Sequence, residues 1–399
     1  MSTEIPTGGF PMFKGIHYQT GEALAISIEE ETISSIEKLT EGDISSGLPI
    51  VAPGLVDLQL NGYRGVDFNS PPFSKEDVYN VTSALWKEGV VSYYPTIITN
   101  EESKIEEAIG TILEACNSDE LVNKSIAGIH LEGPFISPED GPRGAHNKKY
   151  VQKPDWSLFQ KWQQTAKGKI KILTMSPEWP GSTDFIKKCA DSGVTVAIGH
   201  TAATPEKIEA AVSAGARMST HLGNGAHLML PRHPNYIWEQ LAQDHLWVSC
   251  IADGFHLPAS VLKVIFKVKK EKAILVSDAV YLSGLPHGTY NTHIGGDVVL
   301  TSEGKLHLAE NPNLLAGSVQ MLKSGIEYLV QKCICSFPDA WNAASILPAS
   351  FMDLPVQKGL SINSKADFVL IERQANHWKV IQTVKHGTIV YQDKSFIEN

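Results

Sequence analysis

From Pro53 onward one pattern recurs along the chain: a short apolar run, a stop at polar residues, then a stretch with helical periodicity. Eight such runs stand at 55–59, 91–97, 126–131, 171–175, 195–199, 217–220, 247–252 and 273–277. Helical periodicity fills many of the gaps, at 75–88, 101–116, 183–191, 205–214 and 258–270. Thr204-Pro205-Glu206 marks one helix start, with an N-cap residue, a proline at the first helical position and an acid in the first turn. Eight βα units over roughly 250 residues are what a TIM (β/α)8 barrel requires. A doubly wound sheet is the rival, but it usually carries a glycine-rich phosphate turn after its first strand. The turn here is Asn61-Gly62-Tyr63, so the pattern predicts an α/β barrel.

The two ends read differently. Residues 1–53 and 360–399 alternate polar and apolar side chains around turn residues, as in HYQTGEALAISI and then in ADFVLIER, HWKVIQTVK and HGTIVYQD. A period of two is the strand signature. Both termini are therefore expected to build one small β-sandwich domain, 1–53 plus 360–399, beside a barrel spanning 54–359. A hairpin-like stretch near 287–308 reads as an insertion.

Composition excludes several partners. The 399 residues are 42% hydrophobic, enough for a large core beside a small domain. A net charge of −10 argues against nucleic acid, and a small anionic substrate would need a local basic pocket. The five cysteines are odd in number and form no C-x-x-C pair, which fits a reduced intracellular compartment. The opening MSTEIPTGGF has neither a basic n-region nor an apolar h-region, and no later run approaches a membrane span. A cytoplasmic protein without a membrane partner is expected.

A barrel places catalytic groups at the C-terminal ends of its strands, and the ends can be inspected directly. The first run ends in Gln59-Leu60-Asn61, the third in Glu132, the fifth in His200, the sixth in His221 and the eighth in Asp278. The seventh leads into Asp253-Gly254-Phe255-His256, and ionisable groups inside the runs are few. Gly133-Pro134 turns the chain where the Glu132 carboxylate points out, and an acid closing a buried strand needs a partner. A carboxylate and two imidazoles suit Zn2+ or another divalent first-row ion with open positions. Such an ion polarises a carbonyl and lowers the pKa of bound water towards roughly 7. Asp278 would take that water's proton and deliver it to a leaving amine. Each residue alone has a bland reading, a structural histidine beside glycine or a helix-capping aspartate. Their joint placement favours a site.

Six motifs, HLEGPF, IGHTAAT, STHLGNGAH, ADGFH, VSDA and LAGS, occur in this order. From about Pro53 to Asp367 they make the chain resemble the N-acetylglucosamine-6-phosphate deacetylase family of the amidohydrolase superfamily. The resemblance implies a barrel joined to a β-sandwich, and hydrolysis of a sugar-phosphate acetamide to glucosamine 6-phosphate and acetate in amino-sugar catabolism. It implies that Glu132, His200 and His221 are metal ligands, that Asp278 is the proton-transferring group, and that His146 in RGAHN lies near the acetamide. The superfamily often carries His-x-His after the first strand, where this chain has Gln59 and Asn61. Amide side chains are poor metal ligands, so these are vacated second-metal positions. One divalent ion per subunit follows, Zn2+ or another first-row ion.

On the same resemblance, Asn224, Gly225 and His256 bind the substrate, and Arg232 reaches the phosphate of a neighbouring active site in a homodimer. A guanidinium suits a phosphate by bidentate pairing. The backbones of Ala145, Leu315, Ala316 and Gly317 are expected to contact the sugar. The alternative is a cyclic-amide hydrolase of the same superfamily, dihydroorotase- or imidase-like. Those enzymes usually use His-x-His and a carbamylated lysine at the fourth strand, where Met175-Ser176-Pro177 stands here. A third reading is a non-catalytic scaffold with a structural metal. Three further signals are discounted: Lys267, Lys269, Lys270 and Lys272 as solvated charges ending a helix, Trp156, Trp162 and Trp179 as packing residues, and Cys333 and Cys335 as inert neighbours on a helix.

Overall fold

A computed structural model of the chain describes residues 11–40, 42, 47–292, 296–375 and 377–394. Residues 1–10, read above as lacking a leader, lie outside the described residues, as do 293–295 of the insertion and 395–399 of the C-terminal strands.

Eight parallel strands, Leu55–Leu60, Val90–Ile98, Ile129–Glu132, Ile170–Met175, Thr195–Ile198, Ala216–Ser219, Trp247–Cys250 and Ala273–Leu275, pair in sequence order. Leu60 bridges Ala279 in parallel, and the Asp278 amide donates to the Gln59 carbonyl, so the first and eighth strand ends meet and the ring closes as a TIM barrel. Strands covered on both faces read as nearly continuous apolar runs; Leu55–Leu60 is buried along its whole length. The third strand begins at Ile129 rather than 126, because the helix Glu120–Ser125 carries its last bond into Ile126.

The surrounding helices follow their periodicity. Lys75–Lys87 buries Val78, Val81, Thr82 and Leu85 on one face. Its start is a capping box, in which the Asp77 amide donates to Ser74 Oγ and the Ser74 amide to Asp77 Oδ2. The helix Pro205–Ser213 begins at the expected proline, but the Thr204 hydroxyl makes no bond to its amides. Periodicity does not single out Trp156–Thr165, Tyr236–Ala242, Leu322–Gln331, Phe337–Ala343 or Ile346–Phe351. The last of these plugs the barrel floor, where Ala349 and Phe351 pack against Val56, Ile172, Met218 and Ile274.

Both termini enter one seven-stranded sheet, joined by antiparallel pairing of Ile50–Pro53 with Phe368–Gln374. Phe13, Ile26, Ile33, Phe368 and Ile381 form its own core. The sheet is fastened to the barrel by Thr383 Oγ1, which donates to the Trp86 carbonyl, and by the buried Lys385, which pairs with Asp367 at 2.8 Å and reaches Ser92 Oγ. The insertion is a three-stranded antiparallel sheet of Gly288–Thr292, Gly296–Leu300 and Leu306–Leu308. The chain then returns to the eighth strand, where Ser318 pairs with Ala279.

Two discounted signals need correction. Lys269 does not face solvent: it is buried, donates Nζ to the Gln243 carbonyl at 2.6 Å, and burial lowers its pKa to about 8. Cys333 and Cys335 lie past the end of Leu322–Gln331 rather than on a helix, because the chain turns at Cys333 with φ 51°. Trp162 is fully buried, and Trp179 donates its indole N–H to the Ile136 carbonyl. No helix among the described residues is long and apolar enough to cross a membrane.

Candidate metal centre and active site

The third strand ends at Glu132, and the chain turns at Gly133 with φ +84°. A Cβ there would lie 2.2 Å from Thr99 Oγ1, so only glycine fits. Around the ring the fifth and sixth strands stop just before His200 and His221, whose φ values of 49° and 29° are unusual for residues with a Cβ. Such backbone persists where the surroundings over-determine it. It aims both imidazoles inward at Glu132.

Glu132 Oε1 lies 3.2 Å from His200 Nε2, 3.0 Å from His221 Nε2 and 3.0 Å from Gln59 Nε2. Ligand atoms of the three residues fall within 4.8 Å of one another, and all three side chains are buried. His200 Nδ1 sits 2.8 Å from the Pro142 carbonyl, which can only accept, so that nitrogen carries the proton. In neutral His200 the Nε2 lone pair then faces a carboxylate oxygen. A cation between the two removes that repulsion, and orientation of a ligating imidazole by a carbonyl on its other nitrogen is the usual arrangement. Burial opposes charge on His221, yet Glu132 holds its pKa up at about 9. Burial likewise opposes charge on Glu132, and the two imidazoles still draw its carboxyl well below the usual range. The pocket is built to hold positive charge, and the buried Glu/His/His group fits a divalent metal.

Asp278 follows the eighth strand with φ 48°. Asn61 donates Nδ2 to Asp278 Oδ1 at 2.7 Å, so the first strand carries one amide to Glu132 and another to the aspartate. Both amides present donors to carboxylates. Gln59 Oε1 is buried with no hydrogen-bond partner among the described residues. Burial pushes the Asp278 pKa up to about 6, opposed by His221 and reinforced by Glu132. Asp278 is therefore ionised at neutral pH but close enough to titration to exchange a proton.

His146 lies 4.4 Å, ring to ring, from His200, with Nδ1 2.8 Å from Thr99 Oγ1. Burial and the neighbouring His200 lower its pKa to about 3, so it is neutral. Asn224 donates to the His221 carbonyl, and Gly225 packs its backbone against the His200 ring. His256 is held by Asp253, with Nδ1 2.7 Å from Oδ2. Leu315 and Ala316 run along the last strand of the insertion, where Leu315 bridges His307 and the Ala316 amide donates to the Leu306 carbonyl, and Gly317 packs against Val280 beyond the eighth strand. Ala145 is exposed in the loop that carries His146. Arg232 stands apart, on an exposed loop next to Leu228 and Met229.

Several supporting residues escape a strand-end reading. Asp57 lies inside the first strand, fully buried, with burial raising its pKa to about 7. It accepts from the Ser277 amide and hydroxyl, tying the first strand to the residue before Asp278. Glu178 accepts from Ser137 Oγ, Ser176 Oγ and the Ala202 amide, fastening together the loops after strands three, four and five. His130 lies under Glu132. The period-two rule was signal enough for His130, since residues 130 and 132 share a face.

A closed parallel barrel with a Glu/His/His pocket and a nearby aspartate at its C-terminal rim defines a class of metal-dependent hydrolases. The amidohydrolase family matches residues 50–390, and the chain belongs to it. More particularly, it is 33% identical to an N-acetylglucosamine-6-phosphate deacetylase of Bacillus subtilis over 86% of this chain and 85% of that protein. It is 32% identical to the deacetylase of that name from Bos taurus, over 86% of this chain and 84% of the relative. Among solved structures it resembles N-acetyl-D-glucosamine-6-phosphate deacetylase of Mycobacterium smegmatis in complex with N-acetyl-D-glucosamine-6-phosphate. The TM-score is 0.83 at 23% identity, covering 96% of this chain and 100% of that one, a likeness of fold.

Proposed function

We propose that this protein hydrolyses the acetamide of N-acetylglucosamine 6-phosphate, releasing acetate and glucosamine 6-phosphate. The observation that carries this reading is the convergence of Glu132, His200 and His221 within 4.8 Å at one barrel mouth, in a chain whose relatives are deacetylases. Those three residues would hold one divalent cation per subunit, Zn2+ in our reading, which supplies carbonyl polarisation and an acidified water. Asp278, steadied by Asn61, accepts a proton from the attacking water as the new C–O bond forms. It returns that proton to the amine nitrogen as the C–N bond breaks. Neutral His146 takes the Thr99 hydroxyl on Nδ1 and offers Nε2–H to the developing oxyanion.

The phosphate is met by His256, by the Asn224 side chain, by the backbone of Gly225 and by Arg232 of a second subunit, with Ala145, Leu315, Ala316 and Gly317 along the sugar. A homodimer is supported by the apolar residues around Arg232: Leu228 is 90% exposed, Met229 88% and Trp238 56%. We place the domain boundaries at 53/54 and 359/360 and the enzyme in the cytoplasm. The test is to incubate metal-loaded enzyme with N-acetylglucosamine 6-phosphate and quantify acetate and free amine. Equal release of both is expected; ring opening of a cyclic amide with no acetate release would overturn the reading.

A further inference from the structure

His130 is fully buried in the barrel interior and takes no part in the chemistry above. It precedes Glu132 by two positions on the same strand face, roughly 6.6 Å lower in the barrel at 3.3 Å per residue. Its Nδ1 lies 3.0 Å from the Leu58 carbonyl, which only accepts, so Nδ1 carries the proton. Nε2 of the neutral ring then accepts from Thr174 Oγ1 at 2.7 Å. With its proton committed, Thr174 Oγ1 accepts from the Thr220 hydroxyl at 2.7 Å. The result is one directed chain, Thr220 to Thr174 to His130 to Leu58, crossing the barrel beneath the metal pocket.

Each member lies just below a strand end that carries or supports a ligand. Leu58 precedes Gln59, His130 shares a face with Glu132, and Thr220 precedes the left-handed His221. Both nitrogens of His130 are engaged, so it is not itself a ligand. Around the chain the floor is lined by the apolar Val56, Ile172, Ala197 and Met218. We propose that His130 is a positioning residue, which with Thr174 and Thr220 fixes the relative heights of the first, third, fourth and sixth strand ends and thereby the spacing of Glu132 and His221.

This inference rests on the metal-pocket reading, and the experiment separates the two. Metal-stripped wild type, His130→Asn, Thr174→Val and the double variant are titrated with Zn2+ against a chromogenic chelator. Asparagine keeps a donor near Nδ1 and loses the bond to Thr174; valine removes the same bond from the other side. Each single variant is expected to raise the Zn2+ Kd about tenfold, as loss of supporting contacts around metal ligands does. The double variant is expected to be no worse than the weaker-binding single, because one chain is cut twice. At saturating Zn2+, kcat falls while KM holds. Urea midpoints of the stripped proteins read any plain loss of stability. Lowered midpoints with a wild-type Kd would overturn the proposal, and so would additive effects. If His130→Asn does not fold, Thr174→Val alone decides through its Kd. Zn2+ binding that survives His221→Ala in an otherwise unchanged chain would overturn the metal pocket and this proposal together.

Discussion

In the proposed mechanism Asp278 carries the proton, and burial leaves its pKa at about 6, poised between base and acid. Asp278→Asn should keep its full metal content by elemental analysis and lose about 100-fold to 10,000-fold in kcat, the usual worth of a positioned proton carrier. The sign of the pH effect follows from its role. The base must be unprotonated, so kcat/KM should fall as pH drops through the folded-state pKa; a bound cation can only lower that value, placing the acid limb at or below pH 6. A limb well above pH 6 would point to another base. At this scale the sequence was informative wherever a polar residue closes an apolar run, as at Glu132, His200, His221 and Asp278. It was silent about partners distant in the chain: Pro142 behind His200 and Thr99 behind His146 are set by loops that only the closed ring brings together.

Among elements, the loops after the strands carry the precision. The loop after the sixth strand brings Gly225, with φ +55°, against His200, where a Cβ would come within 2.6 Å of Nδ1. Gly225→Ala should therefore displace the imidazole and weaken Zn2+ binding by at least tenfold, read by chelator competition; wild-type affinity would show that the loop can give way. The barrel strands were legible because burial on both faces leaves long apolar runs. Helices such as Tyr236–Ala242 and Ile346–Phe351 span only 7 and 6 residues, too few for a periodic signal, and packing rather than propensity holds them. Asp57 and His130 escaped notice because an ionisable residue inside a strand reads as an exception until its partners are seen.

For the whole molecule, Lys385 and Asp367 pair within the terminal sheet, both almost wholly buried, and Lys385 reaches across to Ser92 of the barrel. Lys385→Met leaves Asp367 without its ion-pair partner and should cost about 3–5 kcal/mol in urea unfolding, while the protein that remains folded keeps its kcat. The alternation at both chain ends made the shared sheet readable, whereas the bonds from Thr383 to Trp86 and from Lys385 to Ser92 that join it to the barrel depend on an interface no local pattern encodes. Subunit assembly can be probed by complementation. Arg232→Ala and His221→Ala are each expected to be nearly inactive; mixed after dissociation, they should recover activity, because each mixed dimer has one pocket with intact ligands completed by the partner's arginine. No recovery in verified mixed dimers would place Arg232 outside the neighbouring site.

The most direct measurement is anomalous diffraction at the zinc edge from crystals of Zn2+-loaded protein. We expect one strong peak per chain, within bonding distance of Glu132, His200 and His221 and beside Asp278. A peak held by other side chains, or none in protein that hydrolyses the sugar phosphate, would contradict the proposed centre.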